Sequence, residues 1–148
     1  MKTILLIHGP NLNFLGRRNR DHYGTITLKT LERLVKKEGL KLKIKVKAFQ
    51  SNHEGGLIDF IQENIDTADG IIINPGAFTH YSFALHDALV DSELPAVEVH
   101  ISAIKNREAW RKTSVTEPAC IAQICGKKEK GYLEALKILH KKISDKKL

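Results

Sequence analysis

Long apolar runs are missing from this sequence. None approaches the roughly 18 residues of a membrane span. The N-terminal run Ile4-Leu5-Leu6-Ile7 stops at Gly9-Pro10, too short for the core of a signal peptide. No membrane partner is expected, and the expected location is the cytoplasm. Cysteine is scarce as well: Cys120 and Cys125 sit five apart, neither a CxxC pair nor a metal-ligand spacing. Two buried thiols in a reducing compartment fit them better. No P-loop or GxGxxG stretch occurs, which argues against a nucleotide cofactor. HExxH is absent and the histidines are scattered, so no metal is expected. Ser82 and Ser102 lack the context of a nucleophile elbow. Aromatic residues are 6% of the chain and fall mostly at apolar positions, offering no base-stacking platform.

What is present reads as one soluble domain over residues 1–148, with 42% hydrophobic and 28% charged residues. The formal net charge of +7 invites a nucleic-acid reading, but the positions of the lysines weaken it. They concentrate at 36–47, at 126–130 and in the C-terminal tail. The alternation Lys41, Lys43, Lys45, Lys47 fits the solvent face of an edge strand, where lysine discourages strand-to-strand aggregation. No nucleic-acid partner is expected; a small anionic ligand explains the arginines better.

Five β-branched apolar runs, at 3–8, 43–49, 70–73, 95–101 and 120–125, alternate with helical patterns. Leu28/Leu31/Leu34/Val35 recur at helical spacing behind a candidate N-cap, Thr27. Ile58/Ile61/Ile65, Leu85/Ala88/Leu89 and Tyr132/Leu136/Leu139/Ile143 do the same, and 105–111 suggests a short extra helix. This alternation predicts a parallel sheet with helices on both faces.

The segments after the strands differ sharply from those before them. Gly9-Pro10-Asn11, 50–56, 74–80 and Glu98-Val99-His100-Ile101-Ser102 all fall at the carboxyl edge, where open α/β sheets bind ligands. The opposite edge carries ordinary turns. Glu98 and His100, two apart on a strand, leave from the same face. A carboxylate beside an imidazole can orient it as a general acid; a satisfied polar pair is the alternative. Gly76-Ala77 could let backbone N–H groups approach an anion. His80 is either a functional residue at a helix start or a cap. Arg107 and Arg111, four apart, share a helix face and suit a carboxylate, although such pairs also occur on solvated faces. Tyr23 is a poor base unless a cation favours its anion. Arg18 supplies one if the segment bracketed by Gly16 and Gly24 folds over the site as a lid; otherwise Tyr23 simply packs over the base of the loop.

Taken together, "GPNLNFLGRR" followed by "YG", "FQSNHEG", "NPGAFTHYS", "EVHIS" and "REAWRKTS" resemble the type II 3-dehydroquinate dehydratases in order and spacing, from residue 4 to about residue 140. The resemblance implies a flavodoxin-like three-layer αβα fold with a five-stranded parallel sheet in the order 2-1-3-4-5. It implies reversible anti elimination of water from 3-dehydroquinate to 3-dehydroshikimate, in the shikimate pathway, with no cofactor and no Schiff-base lysine. By the same resemblance Tyr23 is the base, Arg18 favours its tyrosinate, and Asn11 stabilises the enolate with an ordered water. His100 is the acid, oriented by Glu98. Asn74, His80, Ile101, Ser102 and Arg111 match substrate-holding positions. Gly76, Ala77 and Arg107 rank below these. Asp87 resembles a residue that reaches a neighbouring subunit's site, since the family assembles as trimers grouped into dodecamers. The sequence departs from the family at Val115, where tyrosine is common, and at Ala122 and Lys128, where glycine is expected. These departures bear on the packing of the last strand and on oligomer contacts. Competing readings fit less well. A phospho-receiver would need an acidic pair after the first strand, and a flavin module a Ser/Thr-rich loop there; His8-Gly9-Pro10 supplies neither.

Overall fold

A computed structural model describes residues 1–145 of the chain; Lys146 and Lys147 of the C-terminal lysine cluster lie outside the described residues. Five parallel strands form one sheet: β1 (Lys2–His8), β2 (Ile44–Gln50), β3 (Gly70–Asn74), β4 (Ala96–His100) and β5 (Ala122–Cys125). Their order is β2-β1-β3-β4-β5, the flavodoxin-like arrangement that the resemblance implied. The one-turn helix α1 (Arg20–Tyr23) precedes α2 (Leu28–Lys41), and α3 (Glu54–Asn64), α4 (Phe83–Ser92) and α5 (Lys130–Asp145) complete the set.

The strand sequences explain the layers. β3 and β4 are buried along their whole length, as parallel strands covered on both faces must be. Ile4, Leu6, Ile72, Val97 and Val99 face a core closed by α2 and α5, while Leu5, Ile7, Ile71 and Ile73 face one closed by α3 and α4. β2 is an edge strand on which Lys45 and Lys47 are exposed and alternate with buried Ile44 and Val46; the lysine alternation holds for these two only, since Lys41 ends α2 and Lys43 lies in the turn before the strand. Thr27 caps α2, its Oγ1 accepting from the Thr30 N–H at 3.2 Å. Among the described residues no helix is long and apolar enough to cross a membrane.

Three local expectations are corrected. Residues 105–111 are not one helix but two 3-10 turns, Ile104–Asn106 and Ala109–Arg111, with Arg107 extended between them. The extended step turns the Arg107 side chain toward the site. His80 ends a 3-10 turn, Gly76–His80, and the helix start belongs to Ser82, whose Oγ accepts from the Leu85 N–H at 3.1 Å. The two cysteines are free and half-buried rather than buried. Burial pushes the Cys120 thiol up to about 12 and Cys125 to about 11, the charge of Glu98 adding to both, so neither is a ready nucleophile.

Two of the three sequence departures fit the fold without disturbance. Val115 contributes its backbone N–H to Thr79 O at 2.7 Å, a bond indifferent to its side chain. Ala122 pairs with Val97 in regular register.

The strand order reverses between β1 and β3, the place where open α/β sheets bind ligands. Gly9 holds them together there: its N–H donates to Asn74 O at 2.7 Å. A Cβ at Gly9 would stand 2.4 Å from the carbonyl oxygen of Pro75. Since backbone cannot yield cheaply, Gly9→Ala should cost about 1–3 kcal/mol of stability, read from chemical denaturation.

Candidate active site

The loop after β1 is shaped by its polar residues. Asn11 adopts a left-handed conformation, φ +69°, which asparagine tolerates, and its N–H donates to Asn52 Oδ1 at 3.0 Å. Asn19 caps α1, accepting from the Asp21 N–H at 2.9 Å. Gly16 and Gly24 bracket the segment at φ +93° and +69°, backbone that an L side chain rarely adopts. This path brings Tyr23 back inward, with its side chain buried.

Two cations meet the phenol. Arg18 Nη2 donates to Tyr23 Oη at 2.8 Å and Arg107 Nη1 donates at 2.6 Å. The Arg18 guanidinium also lies 3.7 Å from the ring centroid, and Arg107 makes a further bond to Ser102 Oγ at 3.1 Å. Arg111 lines the same cleft and donates through Nε to Glu108 Oε2 at 2.9 Å. Burial lowers the pKa of Arg18; Tyr23 opposes that, while Arg107 and Arg111 add to it. Three guanidinium groups around one cleft make it complementary to an anion.

The same cleft carries a carboxylate–imidazole pair. Glu98, with no exposed surface, accepts from His100 Nε2 at 2.9 Å. Gln123 Nε2 donates to it at 2.7 Å, Ser114 Oγ at 2.9 Å, and Thr116 Oγ1 also donates. Burial alone would raise the carboxyl, but the bond and charge of His100, with Thr116 and Gln123, bring it down to about 2. With Nε2 given to the carboxylate, Nδ1 of His100 is the nitrogen left for the cleft that His100 lines.

Polar groups converge on the floor. Asn74 accepts the Gly76 N–H through Oδ1 at 3.0 Å and donates through Nδ2 to Tyr132 Oη at 2.9 Å, which leaves one amide hydrogen. Burial drives the Tyr132 hydroxyl well above its ordinary pKa, the Asn74 bond only partly offsetting it, so this support stays neutral. His80 lies 2.7 Å from Thr113 O through Nδ1; a carbonyl only accepts, so Nδ1 carries the proton and Nε2 is an acceptor. Burial, with His100 and Arg111 nearby, lowers the pKa of His80 against the pull of the Thr113 bond, which favours that neutral form.

Asn11, Arg18, Tyr23, Asn74, Gly76, Ala77, His80, His100, Ile101, Ser102, Arg107 and Arg111 all line one cleft of about 510 Å³, part of it open to solvent. Glu98 stands behind His100. Asp87 is not in the cleft: it lies exposed on α4, beside His86 Nδ1 at 3.2 Å. Arg107, ranked low from the sequence, is in direct contact with the phenol. Ser114, Thr116, Gln123 and Tyr132 were missed. Gln123 had a legible signal, because parallel pairing of β4 with β5 sets it beside Glu98. No group of three or more His, Cys, Asp or Glu side chains able to hold a metal occurs among the described residues.

These features define a flavodoxin-like α/β protein with a polar, arginine-lined cleft complementary to an anion. The pattern of the family described as dehydroquinase class II matches residues 2–140. The 3-dehydroquinate dehydratase of Clostridium acetobutylicum is 50% identical over 141 residues, covering 95% of this chain and 98% of that protein. The 3-dehydroquinate dehydratase of Bacillus cytotoxicus is 50% identical over 145 residues, 98% and 99% of the two chains. Among solved structures, the type II dehydroquinase of Butyrivibrio crossotus superposes with a TM-score of 0.91 at 48% identity, over 93% of this chain and 97% of that one. The chain belongs to the dehydroquinase class II family.

The Glu98 carboxylate carries a pH signature. Its pKa is lowered from 4.5 to about 2, so the stability it contributes is complete above about pH 4.5 and is lost as pH falls toward 2. Glu98→Gln should flatten that acid limb when unfolding is measured by urea denaturation across the range. An unchanged acid slope would place the titrating group elsewhere.

Proposed function

We propose that this chain catalyses the reversible loss of water from 3-dehydroquinate to give 3-dehydroshikimate, a step of the shikimate pathway, by anti elimination. The observation that carries the reading is the opposed pair in one cleft: a phenol between two guanidinium groups on one wall and a carboxylate-held imidazole on the other.

Tyr23 acts as the base, taking the proton from carbon 2 beside the ketone. A phenolate oxygen is the natural acceptor for the two charge-assisted bonds from Arg18 and Arg107. The enolate that forms needs donors placed in advance; Asn11 serves there. Hydroxide is a poor leaving group, so His100 protonates the departing hydroxyl while Glu98 keeps the imidazole oriented. Asn74, His80, Ile101, Ser102 and Arg111 hold the substrate's hydroxyls and carboxylate, and the excess of guanidinium charge favours the anionic substrate over neutral analogues. No cofactor enters this scheme.

The reading includes a homo-oligomer built from trimers, probed through Asp87. Its exposed carboxylate is free to approach a neighbouring subunit's cleft. Light scattering on the purified chain should give a mass that is a multiple of three protomers, twelve in the fully assembled form; a monomer would remove Asp87 from the site.

Purified protein mixed with 3-dehydroquinate, without added metal or nucleotide, should produce the ultraviolet absorbance of a conjugated enone. Turnover should survive borohydride treatment in the presence of substrate. Tyr23→Phe should lower kcat by about 10²–10⁴ while binding of substrate-like acids is retained. Near-normal turnover in that variant would sink the tyrosinate assignment.

A further inference from the structure

Lys128 follows β5 in the turn that leads to α5, with φ +52°, in the left-handed region that favours glycine. The turn is fastened to the end of β4. The Lys128 N–H donates to Ile101 O at 3.2 Å, and the Gly126 N–H is shared by His100 O at 3.2 Å and Ser102 O at 3.1 Å. The Lys128 side chain leaves in the other direction. Its Nζ lies 3.4 Å from the carbonyl oxygen of Asp21. A Cβ at Gly24 would sit 3.3 Å from Lys128 Cδ and 4.0 Å from Cε, so the lysine stem lies along the glycine that closes the lid segment. Asp21 and Gly24 flank Tyr23. α1 is a single turn in which the Gly24 N–H returns to Arg20 O. That leaves the Asp21 carbonyl at the helix's C-terminal end, where a cation is favoured. Glycine would satisfy the backbone at 128 with less strain, so the backbone alone does not call for lysine.

We propose that Lys128 is a positioning residue that latches the Tyr23 segment against the end of β4. One residue then ties the turn gripping the carbonyls of His100, Ile101 and Ser102 to the segment carrying the phenol. Base and acid are thereby held in one geometry, and opening of residues 17–24 requires the lysine stem to leave Gly24. The effect on turnover rests on the assignment of Tyr23 and His100 above; the latch itself does not.

Lys128→Gly and Lys128→Met separate the latch from ordinary packing. Trypsin cleavage after Arg17, Arg18 and Arg20, followed by mass spectrometry on the folded protein, reads local opening. Melting temperature and kcat/KM on 3-dehydroquinate are measured beside it. Lys128→Gly should keep or raise the melting temperature, because glycine suits φ +52°. Cleavage should nevertheless accelerate about three- to tenfold, with kcat/KM falling by a similar factor. Lys128→Met keeps the methylene stem but loses Nζ, and should fall between. Unchanged cleavage in Lys128→Gly, with or without a lower melting temperature, would overturn the latch and leave only packing. Faster cleavage in a protein inactive toward 3-dehydroquinate would uphold the latch and sink the catalytic reading instead.

Discussion

An ionised carboxylate shut away from water is costly unless every lone pair finds a donor, and at Glu98 that requirement organises half of the molecule. Its donors come from separate places: His100 on its own strand, Gln123 on the neighbouring strand, Ser114 and Thr116 on the loop between them. Meeting all of them at once fixes the register of β5 on β4, the course of the loop from 112 to 120, and the orientation of the imidazole. Thr79, bonded to both Ser114 and Thr116, extends the network to the loop after β3. The same bonds that keep the carboxyl ionised therefore hold the end of β4, the loop after β3 and the last strand in one arrangement.

The other wall of the cleft obeys a complementary constraint. Arg18 and Arg107 approach each other closely enough to share one oxygen, Tyr23 Oη. Like charges that near are tolerable when an electron-rich group lies between them, and the phenol oxygen accepting from both is such a group. Arg18 and Tyr23 thus border the cleft together, on a segment with positive-φ glycines at either end. The cleft brings an imidazole backed by a carboxylate together with a phenol held by guanidinium groups.

Much of this was legible in the residues. β-branched runs alternating with helical periodicity gave a parallel α/β sheet, because strands covered on both faces must be apolar throughout. The polar clusters after each strand located the site, since only the carboxyl edge brings those loops together. Glu98 and His100 were readable as a pair because strand side chains repeat every two residues. Arg107 was harder to place. Four-residue spacing to Arg111 suggested a shared helix face, whereas the backbone breaks into two turns with Arg107 extended between them. Local spacing carries no information about that break, which leaves the guanidinium in contact with Tyr23, 84 positions away in the chain.

The sequence by itself determined the sheet, the layer pattern, the edge that carries chemistry and most of the residues there, because hydrophobic period and turn chemistry act over a few neighbouring positions. Only the tertiary structure decided which partner each of those residues meets. Gln123, Ser114 and Thr116 became the donors of Glu98, and Tyr132 became the support of Asn74, through contacts spanning 16 to 58 positions. Lys128 likewise meets the lid across 107 positions. Such contacts exist once packing has closed the chain; apart from the strand pairing that sets Gln123 beside Glu98, no local pattern encodes them.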